Sequence, residues 1–200
     1  MRHTYKALFG LAAIAGGAFM ASTPAQASAP TPKRIVAQQE MQRLSPVNIG
    51  AIKGGKAAVT LSNGAVISVD ASAVKYLEKA LPKPGRFSPL NTVYGNCGES
   101  FVYESGMGNS AIDLYTGFVL SDFPAVDYSW HVRLDDRGGS STKSWGGGLA
   151  ERFSWSWEGG VYKLTKGGAA AYVLKGSSYA VDTTGGVCYS AGPSDTTTIT

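Results

Sequence analysis

Three aromatic rings alternate with small or charged residues in Arg152-Phe153-Ser154-Trp155-Ser156-Trp157-Glu158, and a fourth large ring, Trp145, stands beside Gly146-Gly147-Gly148. Rings placed this way do one of two things. They fill a core, or they offer flat faces on which a ligand such as a sugar stacks while nearby polar groups hydrogen-bond to it. If the stretch is a strand, Phe153, Trp155 and Trp157 share one face and Arg152, Ser154, Ser156 and Glu158 the other. The polar set is small and soluble, so the aromatic set is expected to face the core, where each ring hides about 150–250 Å². Trp145 reads as part of a turn and is the better candidate for an exposed ring. Tyr94 and Tyr103 are the residues that would extend a ligand-binding surface around it.

Covalent chemistry has less to work with. His131 is the one histidine outside the first few residues, and no G-x-S-x-G elbow accompanies it, so it reads as a solvent-facing strand residue and not as the base of a triad. A glycosidase needs two carboxylates across a cleft. Glu99, Glu104 and Asp113 are possible members, but their spacing selects none of them. Metal chemistry lacks a D-x-D-x-D-G loop or a His/Cys cluster, and Asp135-Asp136 is the only acidic pair at a turn. There is no P-loop, no G-x-G-x-x-G and no interleaving of basic and aromatic residues, so neither a cofactor nor a nucleic-acid partner is expected.

The N-terminal stretch carries Arg2 and Lys6, an apolar run from Ala7 to Ala21, and small residues after Pro24. That order marks residues 1–29 as a secretory signal peptide, with A-x-A cleavage after Ala27 or after Ala29. The apolar run of about 15 residues is shorter than the roughly 20 that span a bilayer, so no stable membrane insertion is expected after cleavage, and the mature chain is expected to be secreted. The formal charge of +4 falls to +2 without Arg2 and Lys6. Residues 30–55 read as a flexible basic arm with at most a short helix around Ile35 to Leu44, whereas the chain beyond Cys97 is acidic. An oxidising compartment makes an intramolecular Cys97–Cys188 disulfide the expected state; an intermolecular bridge and a free nucleophilic thiol are the alternatives. The bridge would close about 90 residues, worth on the order of 4 kcal/mol in the chain-entropy account.

Residues 56–90 predict a hairpin turning at Asn63-Gly64 and then one helix, with Asp70 at its N-cap, Val74, Leu77 and Leu81 on its apolar side, and Pro82 and Pro84 as its stop. From 91 to 193 the pattern is strand and turn. Its clearest strand runs from Val126 to Leu134, where alternation implies one buried face and one wet face. Short strands with Gly-rich turns predict a mainly β domain, an antiparallel immunoglobulin-like sandwich or a small barrel. Residues 194–200 read as a tail that is either an edge strand or frayed.

The combination VYGNCGES, PAVDYSWHVR and TKSWGGG followed by WSW resembles small secreted bacterial proteins with no assigned activity. The likeness covers roughly Val93 to the C terminus, supports one β module, and carries over no active site. The function expected from these readings is a secreted, non-enzymatic β-sandwich protein that contacts a cell-wall polymer, a glycan or an extracellular protein. The alternatives are a secreted hydrolase using a carboxylate pair and a protein-binding or inhibitor module presenting a loop from Arg137 to Gly148.

Overall fold

A computed structural model describes residues 37–82 and 97–200; the expected signal peptide, the start of the arm and Tyr94 lie outside them. The described chain begins with three short strands, β1 (Ala37–Glu40), β2 (Gln42–Leu44) and β3 (Pro46–Ile49). This corrects the expected arm and helix. Each strand finds a different partner sheet, so segments without an apolar period of their own are held by backbone pairing with strands that have one. The hairpin and helix follow as β4 (Lys56–Leu61), β5 (Val66–Asp70) and α1 (Ala71–Ala80). Gly64 turns the hairpin with φ +83°, a conformation that suits glycine, and Asn63 Oδ1 accepts the Ala65 amide at 3.0 Å. Asp70 occupies the N-cap position, but its side chain makes no capping bond. Its amide instead donates to Asp127 Oδ2 at 2.8 Å.

The β region contains β6 (Gly98–Gly108), β7 (Ala111–Leu120), β8 (Ala125–Asp136), β9 (Gly139–Arg152), β10 (Ser154–Lys163), β11 (Gly167–Val173), β12 (Tyr179–Asp182), β13 (Val187–Tyr189) and β14 (Ser194–Ile199). Two antiparallel sheets stack as a sandwich. One has the order β1-β6-β7-β10, the other β14-β11-β8-β12-β13-β2 with β9 on the far edge of β8. Neither closes on itself, so the sandwich and not the barrel is the architecture observed. Of the two expectations for the tail, the edge strand is the one observed: β14 ends its sheet, pairs along β11, and buries Ile199 in the main core.

The core between the two sheets gathers Val102, Ile112, Leu114 and Phe118 from one and Trp130, Val132, Leu134 and Val173 from the other. Trp130 is fully buried. Its Nε1–H donates to Thr116 Oγ1 across the gap at 2.9 Å, and the Thr116 hydroxyl donates to the Phe101 carbonyl at 2.9 Å. The Cys97–Cys188 disulfide also joins the two sheets, with the Cα atoms 6.1 Å apart, a separation ordinary for a bridge. Met41, wholly buried between β1 and β2, is where the chain crosses from one sheet to the other, exchanging backbone hydrogen bonds with Gly98 and Cys97.

A second core lies on the other face of the larger sheet. There β4, β5 and α1 contribute Val59, Leu61, Val69 and Leu77, which pack with Val126, Tyr179, Val181 and Val187. The "wet" face expected for β8 is therefore dry at its start: Asp127 is 3% exposed. Gly147 and Gly148 pass close to the Asp70 and Ser72 side chains at the junction of β5 and α1, so the glycine run belongs to a packed strand. Arg43 on β2 is paired with Asp182, which is 2% exposed, at 2.6 Å. The same carboxylate accepts the amides of Thr184 and Gly186, which ties the chain's early strands to the β12–β13 turn.

Because the Trp130–Thr116 bond joins the facing sheets inside the core, as the buried Ser190–Ser100 hydroxyl pair also does, Thr116→Val is expected to destabilise the protein by about 1–3 kcal/mol, the cost of stranding a buried donor. Denaturant unfolding measures this. Pairing the change with Trp130→Phe should give a loss well short of the sum of the two single changes, since the stranded donor is then gone.

Candidate functional site

Strands β9 and β10 are the outermost strands on the same side of the sandwich. Among the described residues β9 pairs only with β8, and β10 only with β7. Register decides which residues line the gap between them. Trp145 lies opposite Trp130, and Trp155 opposite Phe118, so both indoles point toward the core from the edge. Along β9 the half-buried positions recur with period two at Lys143, Trp145, Gly147 and Leu149. These are the inward-facing residues of the rim.

The rings meet across the two sheets. Trp145 lies 6.0 Å from Trp155 and 5.5 Å from Trp157, centroid to centroid, and Trp155 continues inward to Tyr128 at 4.4 Å and Phe118 at 6.2 Å. The result is an aromatic chain whose inner end is core and whose outer end, Trp157, is 38% exposed. Gly160 makes room for it: a Cβ there would come within 2.8 Å of Trp157 Nε1 and within 2.6 Å of the Tyr162 ring. Further along the gap, Lys143 Nζ sits 4.7 Å over the Tyr162 ring. A cleft of about 260 Å³ then opens, lined by Leu134, Asp136, Ser140, Ser141, Leu164 and Thr165 among others.

The structure thus sorts the sequence-predicted site residues. Trp145 is not in an exposed turn; it is half-buried on an edge strand, because β8 carries β9 alongside it through fourteen residues of Gly- and Ser-rich sequence. The loop expected from Arg137 to Gly148 is mostly that strand. Tyr103 is 8% exposed and stacks with Phe101 and Tyr115 on the opposite face of its sheet from the core, away from Trp145. The expectation that Phe153, Trp155 and Trp157 all fill the core holds for Trp155, whereas Phe153 is 50% exposed. Tyr162 and Lys143, not among the residues expected at a site, complete the rim; their alternation with outward residues is the sequence signal for their place.

Other polar groups lie elsewhere. His131 is half-buried, with Ser129 Oγ at 2.9 Å from Nε2 and Ser144 Oγ at 2.7 Å from Nδ1. Burial holds the imidazole below its usual pKa, and the serine partners correct the expectation of a purely solvent-facing ring. Of the three acids weighed for hydrolysis, Glu104 and Asp113 sit on opposite faces of their hairpin, since Glu104 pairs with Leu114 and Asp113 with Ser105. The cleft's carboxylate, Asp136, accepts the amides of Gly138 at 2.7 Å and Thr165 at 2.6 Å, which hold it below the usual carboxylate range. Among the described residues no three His, Cys, Asp or Glu side chains converge, and no helix is long and apolar enough to cross a membrane. No protein-family model, curated protein or solved structure matches the chain.

Two carboxyls titrate abnormally within the packing. Burial first, and the neighbouring Asp195 carboxylate second, push Glu104 up to about 7 from 4.5. Burial also raises Asp127 to about 6 from 3.8, against the amides of Asp70 and Tyr128 that favour its charged form. Both groups bind protons more tightly folded than unfolded, so stability contributed by the neutral forms is lost as pH rises through 4 to 7. The thermal midpoint is expected to fall between pH 5 and pH 8, and Glu104→Gln to flatten that fall; a midpoint rising over this range contradicts the assignment.

Proposed function

We propose that the protein is exported and acts as a non-enzymatic binding protein for a polysaccharide of the cell envelope or extracellular matrix, held in the β9–β10 mouth. The observation that carries this reading is the meeting of Trp145 and Trp157 from opposite sheets at two edges unpaired among the described residues, with the outer indole over one-third exposed. Exposed flat aromatics beside hydroxyl-bearing side chains suit a ligand with one apolar and one polar face, and fixed indoles lose little conformational entropy on binding. Export is supported by the signal-like N terminus together with the inter-sheet disulfide, which persists in oxidising compartments.

One observation favours a protein partner instead: among the described residues the outer edge of β9 is unpaired and offers backbone groups to an added strand. It weighs less, because a strand this rich in Gly and Ser has few side chains to set a register.

Titrating soluble glycans and peptidoglycan fragments against tryptophan fluorescence tests the proposal. Binding is expected to quench or shift the exposed component. Trp157→Ala should weaken it about tenfold, equivalent to about 1.4 kcal/mol, while Phe123→Ala, which removes another exposed ring packed on Arg43, leaves it unchanged. Spectra unmoved by every glycan would overturn the reading.

A further inference from the structure

The mouth does not end at the tryptophans. Ser141 lies four residues along β9 from Trp145, about 13 Å at the rise of a strand, and lines the cleft. Lys143 is midway between them, on the same side of the strand as both. It is half-buried, with its ammonium over Tyr162, and it has no carboxylate partner among the described residues. The ion pairs found there are Arg43–Asp182, Lys56–Asp70 and Arg133–Asp135. Lys163, which lines the cleft, also has none.

The cleft's own acid, Asp136, accepts the backbone amides of Gly138 and Thr165 and forms no ion pair with either lysine. Read outward along the rim, the sequence is therefore indole platform, unpaired cation on an aromatic ring, then a pocket edged by the hydroxyls of Ser140, Ser141 and Thr165. An ammonium held against a ring and partly withdrawn from water interacts with an anion more strongly than one in bulk solvent. A neutral ligand covering it would remove water and return no charge.

Resting on the glycan reading above, we infer that the ligand is an acidic, linear oligosaccharide that runs along β9 from Trp145 and Trp157 into the cleft, with a carboxylate on the unit passing Lys143. A single sugar ring does not reach from the indoles to the cleft; an extended chain does. The rings supply affinity that is indifferent to charge, and Lys143 supplies the preference for the acidic form.

The test is a calorimetric titration of the oxidised protein with pectate and alginate oligosaccharides of two to eight units, alongside the same oligosaccharides after carboxyl reduction. Affinity is expected to climb with length until the 13 Å span is covered and then to level off. The acidic forms should bind at least tenfold more tightly than their reduced counterparts at low ionic strength, with the gap narrowing in salt. Lys143→Met, which keeps an apolar stem on Tyr162, should abolish the acidic preference while leaving binding of the reduced forms unchanged. Equal affinity for acidic and reduced forms, or a preference that survives Lys143→Met, overturns this inference and leaves the glycan reading standing if Trp157→Ala still weakens both. Absence of binding by every oligosaccharide of either kind overturns both.

Discussion

The hydrogen bond from the Trp130 indole to the Thr116 hydroxyl fixes how the two sheets of this protein face one another. Both groups are fully buried, so the bond is made with little competition from water and cannot be broken without stranding a donor. It places the centre of β8 over the centre of β7. Since β9 is hydrogen-bonded outside β8 and β10 outside β7, their mutual position follows. Phe118, tilted against Trp130 at 5.5 Å, and Trp155, at 6.4 Å, transmit this order outward.

The aromatic mouth is the consequence of that geometry at an edge. Sheets in a sandwich diverge where their twist carries the outer strands apart, and something must occupy the widening gap. Here it is occupied by large rings, whose burial is worth roughly 4–6 kcal/mol each when complete. At Trp155 burial is near the core, whereas at Trp157 it is unfinished. Incomplete burial at the rim is the feature a ligand can exploit, because the rings are already held in place by their neighbours. The second core, on the opposite face of the larger sheet, leaves the mouth free while covering Asp127 and the β12–β13 ladder.

Much of the fold was legible in the chain. The Asn63-Gly64 hairpin, the helix with Val74 and Leu77 inward, the alternation of β8 from Trp130 to Leu134 and the bridging of Cys97 to Cys188 all stand where the residues placed them, whereas Val126 joins the second core and Asp127 is buried. What escaped did so for physical reasons. β9 is dominated by Gly, Ser and Thr, with weak strand propensity of its own, and forms because β8 presents a complete ladder edge. β1 to β3 lack an apolar period and are likewise specified by their partners. β12, Tyr-Ala-Val-Asp, is buried on both faces and so shows no alternation. The candidate site was half visible: Trp145 was singled out for its type but misplaced in a turn, and its meeting with Trp157 depends on two strands from different sheets, which local pattern cannot convey. Tyr103, equally aromatic, lies on another face because period two sends it there.

The chain's four indole N–H groups report core and mouth separately, since Trp130 is core and Trp145, Trp155 and Trp157 form the mouth. The decisive measurement is a ¹⁵N–¹H correlation spectrum of these four groups, assigned by single substitution, during titration with an acidic oligosaccharide. Shifts are expected to be largest at Trp157 and Trp145, smaller at Trp155, and absent at Trp130. A titration in which binding is detected by another method while the Trp145 and Trp157 signals stay still would place the ligand elsewhere and contradict it.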